Sequence, residues 1–409
     1  MSINVINGGV TGPKGFYAAG AACGIKYKDR KDMALVYSEA PAVCAGTFTK
    51  NVVKAAPVKW DMEIVNNRET IRAVVLNSGI ANACTGEEGM ELNYFMASGM
   101  ASELGVEPED VCTCSTGVIG MQLVKEPLSY GFKKLNETKE ATIEAGTLAA
   151  EAIMTTDTVS KEVCVSFDIN GKTVTIGGMS KGSGMIHPDM ATMLCVITTD
   201  AVISKDVLKK AVSSVVADTF NMISVDRDTS TNDTVIVMAN GLAENDTIAD
   251  GTDDYDTFYN ALFTVMQTLA KKMASDGEGA TKLFEVTVKN ASDKETARIL
   301  SKSVITSNLV KTAVYGSDAN WGRILCALGY SGVSFDPEIV DISISGTSGE
   351  LKLVENGKAT DYSEEFATKI LSDKEVTCVC DMKCGNAEAT AWGCDLTYDY
   401  VKINGDYRS

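Results

Sequence analysis

The chain has 409 residues, with 37 Lys and Arg against 55 Asp and Glu for a formal net charge of -18, and it is 45% hydrophobic and 22% charged. That length can enclose a large core in more than one domain-sized unit, and the acidic balance opposes binding to nucleic acid or to anionic membranes. No apolar run approaches the roughly 18 residues of a membrane span, and Met1-Ser2-Ile3-Asn4 lacks the basic start of a signal peptide, so a cytoplasmic, non-membrane protein with mostly reduced cysteines is expected.

Taken in chain order, hydrophobic periodicity predicts a strand over 73–77, a helix over 139–154, and strands over 172–179 and 193–201. A helix over 205–223 follows, with Ser204 near its start as a cap, then a strand over 234–240. The next helix, 255–275, has Thr252 as a cap and Gly277 as a stop. Composition shifts near 277–282. Beyond it come a strand over 283–290, a helix over 295–309, strands over 340–346, 375–382 and 390–397, and a terminal strand over 396–403. Strands grouped between helices without a steady βαβ alternation predict an α/β fold of stacked sheets flanked by helices. Residues 1–282 form the larger unit in this reading, and 283–409 a smaller α/β unit.

Twelve cysteines invite a metal reading, and the densest group is Cys378, Cys380, Cys384 and Cys394. No CxxC pair occurs among them, and Val376-Thr377-Cys378-Val379-Cys380-Asp381 alternates as a strand does, so packing in a sheet is the expectation and no metal site. Cys112 and Cys114 read the same way.

The segment Gly177-Gly178-Met179-Ser180-Lys181-Gly182-Ser183-Gly184-Met185-Ile186 leads into His187-Pro188-Asp189-Met190-Ala191-Thr192-Met193-Leu194. A glycine-rich turn and a lysine thus stand ahead of a small residue, a threonine and an apolar strand. This order suits a chain that cuts itself before Thr192: the hydroxyl attacks the Ala191 carbonyl, the acyl group passes from nitrogen to oxygen, and water releases the ester. An N-terminal threonine carries its own base, because an α-amine has a reference pKa of about 7.7–8.0. His187 is the one histidine of the chain, which leaves little scope for a Ser-His-Asp relay. It precedes the proposed cut and reads as a loop residue.

Other turns are weaker signals. Cys114-Ser115-Thr116-Gly117-Val118-Ile119-Gly120 offers a backbone N–H and a hydroxyl to an oxyanion. Asn77-Ser78-Gly79-Ile80-Ala81-Asn82 ends a strand without the spacing of a phosphate-binding loop. The polar run Asp226-Arg227-Asp228-Thr229-Ser230-Thr231-Asn232-Asp233-Thr234 lacks the glycine and glutamate of a calcium loop and reads as a turn. In Asp276-Gly277-Glu278-Gly279, glycines flank a carboxylate and allow close approach to a ligand; a helix stop explains the same residues. The tail is long enough to fold over a site and lend it Asn404 and Ser409.

Together these segments resemble the ornithine acetyltransferase family, the glutamate N-acetyltransferases of the cyclic arginine pathway. The resemblance runs nearly end to end, through Thr11-Gly12-Pro13-Lys14-Gly15-Phe16, Ala45-Gly46-Thr47-Phe48-Thr49-Lys50-Asn51, Ala55-Ala56-Pro57-Val58, Ile153-Met154-Thr155-Thr156-Asp157-Thr158, the Lys181 and Thr192 segments, Asp318-Ala319-Asn320-Trp321-Gly322-Arg323 and the tail. It implies an αββα sandwich with added smaller domains, self-cleavage at Ala191-Thr192 into an α chain, 1–191, and a β chain from 192, and an α2β2 heterotetramer. Thr192 would take acetyl from N-acetylornithine, release ornithine and pass the acetyl to glutamate. By position, Thr116 and Gly117 fall at the family's oxyanion hole, and Thr155, Lys181, Thr192, Glu278, Asn404 and Ser409 at its substrate contacts. Lys181 suits a substrate carboxylate and Glu278 an amine. No cofactor is implied. Some members also use acetyl-CoA as a co-substrate, and no residue decides that here. Ile80, Arg227 and Ala319 depart from the expected asparagine, glycine and proline. The rival is a self-cleaving amidohydrolase or aminopeptidase of the same fold, in which water takes the acyl group.

Overall fold

The computed structural model describes residues 2–187 and 193–406. Two compact units divide the chain: 1–182, 189–220 and 229–269 make the first, and 183–188, 221–228 and 270–409 the second.

Among the described residues the first unit has a nine-stranded mixed sheet. Its order is Asn4–Ile6, Lys161–Ile169, Lys172–Lys181, Leu194–Thr199, Thr234–Ala239, Met33–Phe48, Thr70–Asn77 and Val111–Ser115, with Phe16–Ala21 also pairing to Met33–Phe48. The long strand Met33–Phe48 joins the two halves. Its early residues pair with Phe16–Ala21 and Thr70–Asn77, its last six with Thr234–Ala239, and the register slips between Tyr37 and Ala42. Such an irregularity bends a strand and lets it pass from one layer to the next.

Strand alternation then sorts the side chains. Ala34, Val36, Val74 and Leu76 enter one buried cluster, while Met33, Leu35, Ala73 and Val75 enter another. The first cluster also takes in Met179, Leu194, Val196, Ile236 and Met238 from the other half of the sheet. Both halves therefore close on one core, as stacked layers do. Leu92, Met96 and Met100 of helix Gly86–Leu104, with Leu128, Phe132 and Leu135 of helix Lys125–Thr138, cover the second cluster. In helix Asp253–Ser275, Phe258, Leu262, Val265 and Leu269 recur at helical spacing and are fully buried.

The second unit has a seven-stranded sheet among the described residues, ordered Lys358–Ala359, Gly349–Glu355, Asp341–Gly346, Glu375–Asp381, Leu283–Ala291, Ala387–Cys394 and Ile223–Ser224. Helix Lys294–Ile305 packs on it with Ala297, Leu300, Val304 and Ile305 inward, its start capped by Asp293, which accepts from Thr296 N–H at 2.9 Å. Cys378 and Cys380 point to the same buried face of Glu375–Asp381 with sulfurs 3.9 Å apart, the strand packing their alternation predicts.

The α/β class is the one expected, and several elements differ in extent or type. The helix expected over 139–154 is shorter at both ends, Ile143–Ala152, and a separate helix with no counterpart in the expectation, Lys125–Thr138, precedes it. Glu140 exchanges backbone hydrogen bonds with Ala18, and Thr142 caps the second helix. The helix expected over 205–223 stops at Asp218, because Thr219 leaves helical backbone angles and Ile223 pairs with Trp392. That expected over 295–309 ends at Ile305, and Ser307 starts a new one, Asn308–Tyr315. The strand expected over 396–403 is the helix Tyr398–Gly405. Its β-branched and aromatic content suggests a strand, but the Thr397 hydroxyl accepts from Tyr400 N–H at 3.4 Å and Asp399 and Lys402 sit at the ends the helix dipole favours.

Candidate active site

Asn170 and Gly171 have φ of 51° and 83°, the left-handed pair that a two-residue hairpin turn requires. They fold Lys161–Ile169 onto Lys172–Lys181 with Ile169 opposite Lys172, and without a slip this places Lys161 opposite Ser180. Lys161 and Lys181 consequently share one end of the hairpin. Lys181 is also registered against Leu194 on the next strand, two residues after Thr192 in the sequence.

Asp157 lies at that same end. Its Oδ1 accepts from Lys161 Nζ at 2.8 Å and Gly182 N–H at 2.7 Å, and its Oδ2 accepts from Thr155 N–H at 3.0 Å and stands 3.9 Å from Lys181 Nζ. The Asp157 and Lys161 side chains are fully buried and that of Lys181 nearly so. Burial opposes the ionised carboxylate, but the charges of Lys181 and Lys161, with the hydrogen bonds from Lys161 and Thr155, outweigh it and hold the Asp157 carboxyl well below the usual carboxylate range. Thr155 is tied down further, since the Arg30 guanidinium donates to its carbonyl and to that of Met154, both at 2.7 Å.

The proposed oxyanion turn follows strand Val111–Ser115. Thr116 N–H donates to the Asn77 carbonyl at 3.0 Å, and Gly117 takes φ of 132° where a Cβ would lie 2.2 Å from the Gly79 carbonyl carbon. Only glycine fits there. Ile80 bridges both Thr116 and Val118, and Val118 N–H donates to the Gly79 carbonyl at 3.1 Å, which holds the turn against the end of strand Thr70–Asn77. The Asn232 amide steadies the turn by donating to the Ala81 carbonyl at 2.6 Å and the Ser115 carbonyl at 2.7 Å. Two residues on, Thr234 N–H donates to the Met193 carbonyl at 2.9 Å, and Thr234 pairs with Leu194. Backbone pairing and one amide side chain thus connect the oxyanion turn to the strand that begins after Thr192.

In the second unit, Glu278 is buried at the turn after helix Asp253–Ser275. Its N–H donates to the Ser183 carbonyl at 2.8 Å, and its carboxylate accepts from the Asn404 amide at 2.7 Å. Gly184 makes room for it, since a Cβ there would lie 2.3 Å from the carboxyl group. Thr397, which caps the terminal helix, also donates to the Gly279 carbonyl at 2.7 Å, so the helix bearing Asn404 is fastened to the turn bearing Glu278. Asp226 fixes the segment ahead of the expected cut by accepting from Met185 N–H at 2.6 Å and Ile186 N–H at 2.8 Å. His187 lies 3.1 Å from Ser224 through its Nδ1.

The structure thus groups Thr155 with Lys181 through Asp157 in the first unit, and Glu278 with Asn404 in the second. Ala191, Thr192 and Ser409 lie outside the described residues. Sequence reasoning gave no role to Asp157, Lys161, Asn232 or Asp226. Asp157 stands in the 153–158 segment that carries the family resemblance, while Asn232 and Asp226 belong to a run whose pattern is that of a polar turn. Arg227, where a glycine is expected, holds φ of 72°, in the left-handed region that explains that expectation.

The ArgJ family model matches residues 17–409. The Arginine biosynthesis bifunctional protein ArgJ of Caldanaerobacter subterraneus subsp. tengcongensis is 52% identical over 409 residues, covering all of both chains. Its counterpart from Thermotoga neapolitana is 52% identical over 400 residues, 97% of this chain and 99% of that one. The Bacillus subtilis protein of the same name is 47% identical over 404 residues, 99% of this chain and 97% of that one. A match of this length and identity makes the chain a member of the ArgJ family.

Proposed function

We propose that this protein is an acyltransferase of arginine biosynthesis that moves acetyl from N2-acetyl-L-ornithine to L-glutamate, giving L-ornithine and N-acetyl-L-glutamate. The observation that carries this is 52% identity to an ArgJ protein along the whole of both chains.

The chemistry runs through Thr192, exposed as an N-terminus by cleavage after Ala191. Its hydroxyl attacks the acetyl carbonyl carbon while its α-amine takes the hydroxyl proton. The Gly117 N–H and the Thr116 hydroxyl donate to the oxygen that becomes negative. The carbon–nitrogen bond then breaks, the proton passes to the leaving amine, and ornithine departs from an acetyl-threonine ester. The glutamate amine attacks that ester, the carbon–oxygen bond breaks, and the proton returns to the Thr192 hydroxyl. Lys181 receives the α-carboxylate of either amino acid, Glu278 with Asn404 the ammonium of the ornithine side chain, and Thr155 and Ser409 supply polar contacts. The buried settings of Lys181 and Glu278 support these roles, because a charge removed from water binds its opposite more strongly.

The working form in this reading is two α chains, 1–191, with two β chains, 192–409, in the cytoplasm where amino acids are made. The relatives' bifunctional name supports acetyl-CoA as a second acetyl donor. Incubating the purified protein with N-acetylornithine tests the main claim. Ornithine release that requires glutamate and yields N-acetylglutamate is expected, with acetyl found by mass on Thr192 when glutamate is withheld. Steady release of ornithine and free acetate without glutamate would instead establish the amidohydrolase. Native mass and an assay with acetyl-CoA and glutamate check the remaining parts.

A further inference from the structure

Thr155 and Lys181 come from different elements, and one buried carboxylate touches both. Three N–H or ammonium donors already occupy Asp157 at hydrogen-bond distance, namely Thr155 N–H, Gly182 N–H and Lys161 Nζ. Lys181 Nζ, at 3.9 Å, is held by charge rather than by a hydrogen bond. Lys161 in turn fixes Asp157, and it donates as well to the Val159 carbonyl at 3.2 Å. A lysine has a flexible four-carbon stem, so an ammonium meant to meet one carboxylate needs something to fix where it ends. Asp157 does this for Lys181 while anchoring the backbone on either side of it, at Thr155 and Gly182.

We infer that Asp157 is a positioning residue for substrate recognition: it sets the Lys181 ammonium and the Thr155 backbone so that the enzyme selects substrates by their α-carboxylate. This rests on the reading of Lys181 as the partner of that carboxylate. It adds that the selectivity depends on a residue which touches no substrate.

The readout is a ratio of kcat/KM values, for N2-acetyl-L-ornithine over its decarboxylated analogue N-acetylputrescine. Loss of packing or stability lowers both values together and leaves the ratio alone. In Lys181→Met the ratio is expected to collapse toward one. In Asp157→Asn it is expected to fall by about tenfold or more, the scale of a mis-set charged hydrogen bond. In the double variant the ratio is expected to be no lower than in Lys181→Met alone, since the two residues act through one contact. A wild-type ratio near one, or an unchanged ratio in Lys181→Met, overturns the reading of Lys181. A collapsed ratio in Lys181→Met with an unchanged ratio in Asp157→Asn overturns the role of Asp157 alone, as does an additive loss in the double variant. Should Asp157→Asn not fold, Asp157→Glu is measured in its place. Its carboxylate sits one methylene off, so the same fall is expected, and an unchanged ratio overturns the proposal.

Discussion

Gly184→Ala separates the role of Glu278 from the stability of the fold. The new Cβ would fall 2.3 Å from the Glu278 carboxyl carbon and Oε2, whereas ordinary contact begins at 3.4 Å. The carboxylate must therefore retreat by about 1.1 Å, a shift on the order of a third of a van der Waals contact distance. The Asn404 hydrogen bond, 2.7 Å long, is then stretched past bonding range or lost. Gly184 has no left-handed φ, and the clashing atoms are the end of a flexible side chain, so the backbone accepts alanine at little cost. A carboxylate displaced this far also loses its charged contact with the substrate ammonium, and loss of such a contact costs about 1.5–3 kcal/mol, roughly 10–150-fold in binding. The expected result is a rise of that size in KM for N-acetylornithine, with a melting temperature lowered by no more than about 2–4 °C, the equivalent of 1 kcal/mol in a domain of about 150–250 residues. Gly20→Ala is the contrast, since its Cβ would meet the Leu148 carbonyl oxygen at 2.0 Å and backbone cannot step aside; it should lose folded protein first. An unchanged KM in soluble Gly184→Ala would refute the assignment of Glu278 to the substrate amine.

Asn232→Ala removes donors from the Ala81 and Ser115 carbonyls and so loosens the oxyanion turn; kcat should fall roughly tenfold or more with KM little changed, and equal loss in both would point to general damage. Thr397→Ala removes the cap of the terminal helix, worth about 0.5–2 kcal/mol, so amide exchange over 398–405 should quicken and KM for N-acetylornithine should rise. Asp61, fully buried with Thr113 N–H at 2.7 Å, has its carboxyl pushed well above the usual range by burial, against that hydrogen bond. A raised folded pKa means stability that is fully present below the unfolded value of about 3.9 and is lost as pH rises through the folded one, so Asp61→Asn should flatten the decline in denaturant midpoint as pH rises above about 4. Asp157 has the opposite sign: its contribution is present above about pH 4 and lost as pH falls, and Asp157→Asn should remove that acid-side loss in the same titration.

The sheets were the legible part of the sequence where the local pattern and the global fold agree. Cys378 and Cys380 are buried and alternate with the half-buried Thr377, Val379 and Asp381, and a strand that buries one face asks for that pattern. The helix Asp253–Ser275 shows its 3.6-residue period and its Thr252 cap, whose hydroxyl accepts from Tyr255 N–H at 3.2 Å. Long strands with bends are harder. In Met33–Phe48 the slip between Tyr37 and Ala42 breaks the alternation, and the strand changes partners halfway along. The helix ends misjudged near 139, 219 and 306 are set by contacts from afar, such as Ala18 on Glu140 and Trp392 on Ile223, which no local window contains.

Asp157 shows where the limit lay for the site itself. Its spacing of four from Lys161 reads as a helical ion pair, yet Lys161 opens a strand, so the pairing has no helix to explain it. The cue was instead Asn170-Gly171 between two alternating apolar runs, a two-residue turn signal that fixes register. Once Ile169 faces Lys172, pairing by one step at a time brings Lys161 to Ser180 and sets Lys181 just beyond. The register therefore carries both lysines to Asp157. Glu278 and Asn404 offer no such count, because the tail meets its turn through contacts remote in sequence, such as the Thr397 hydroxyl on the Gly279 carbonyl across 118 residues. A site built on hairpin register can be counted out from its turn, whereas one built on a docked helix has to be seen.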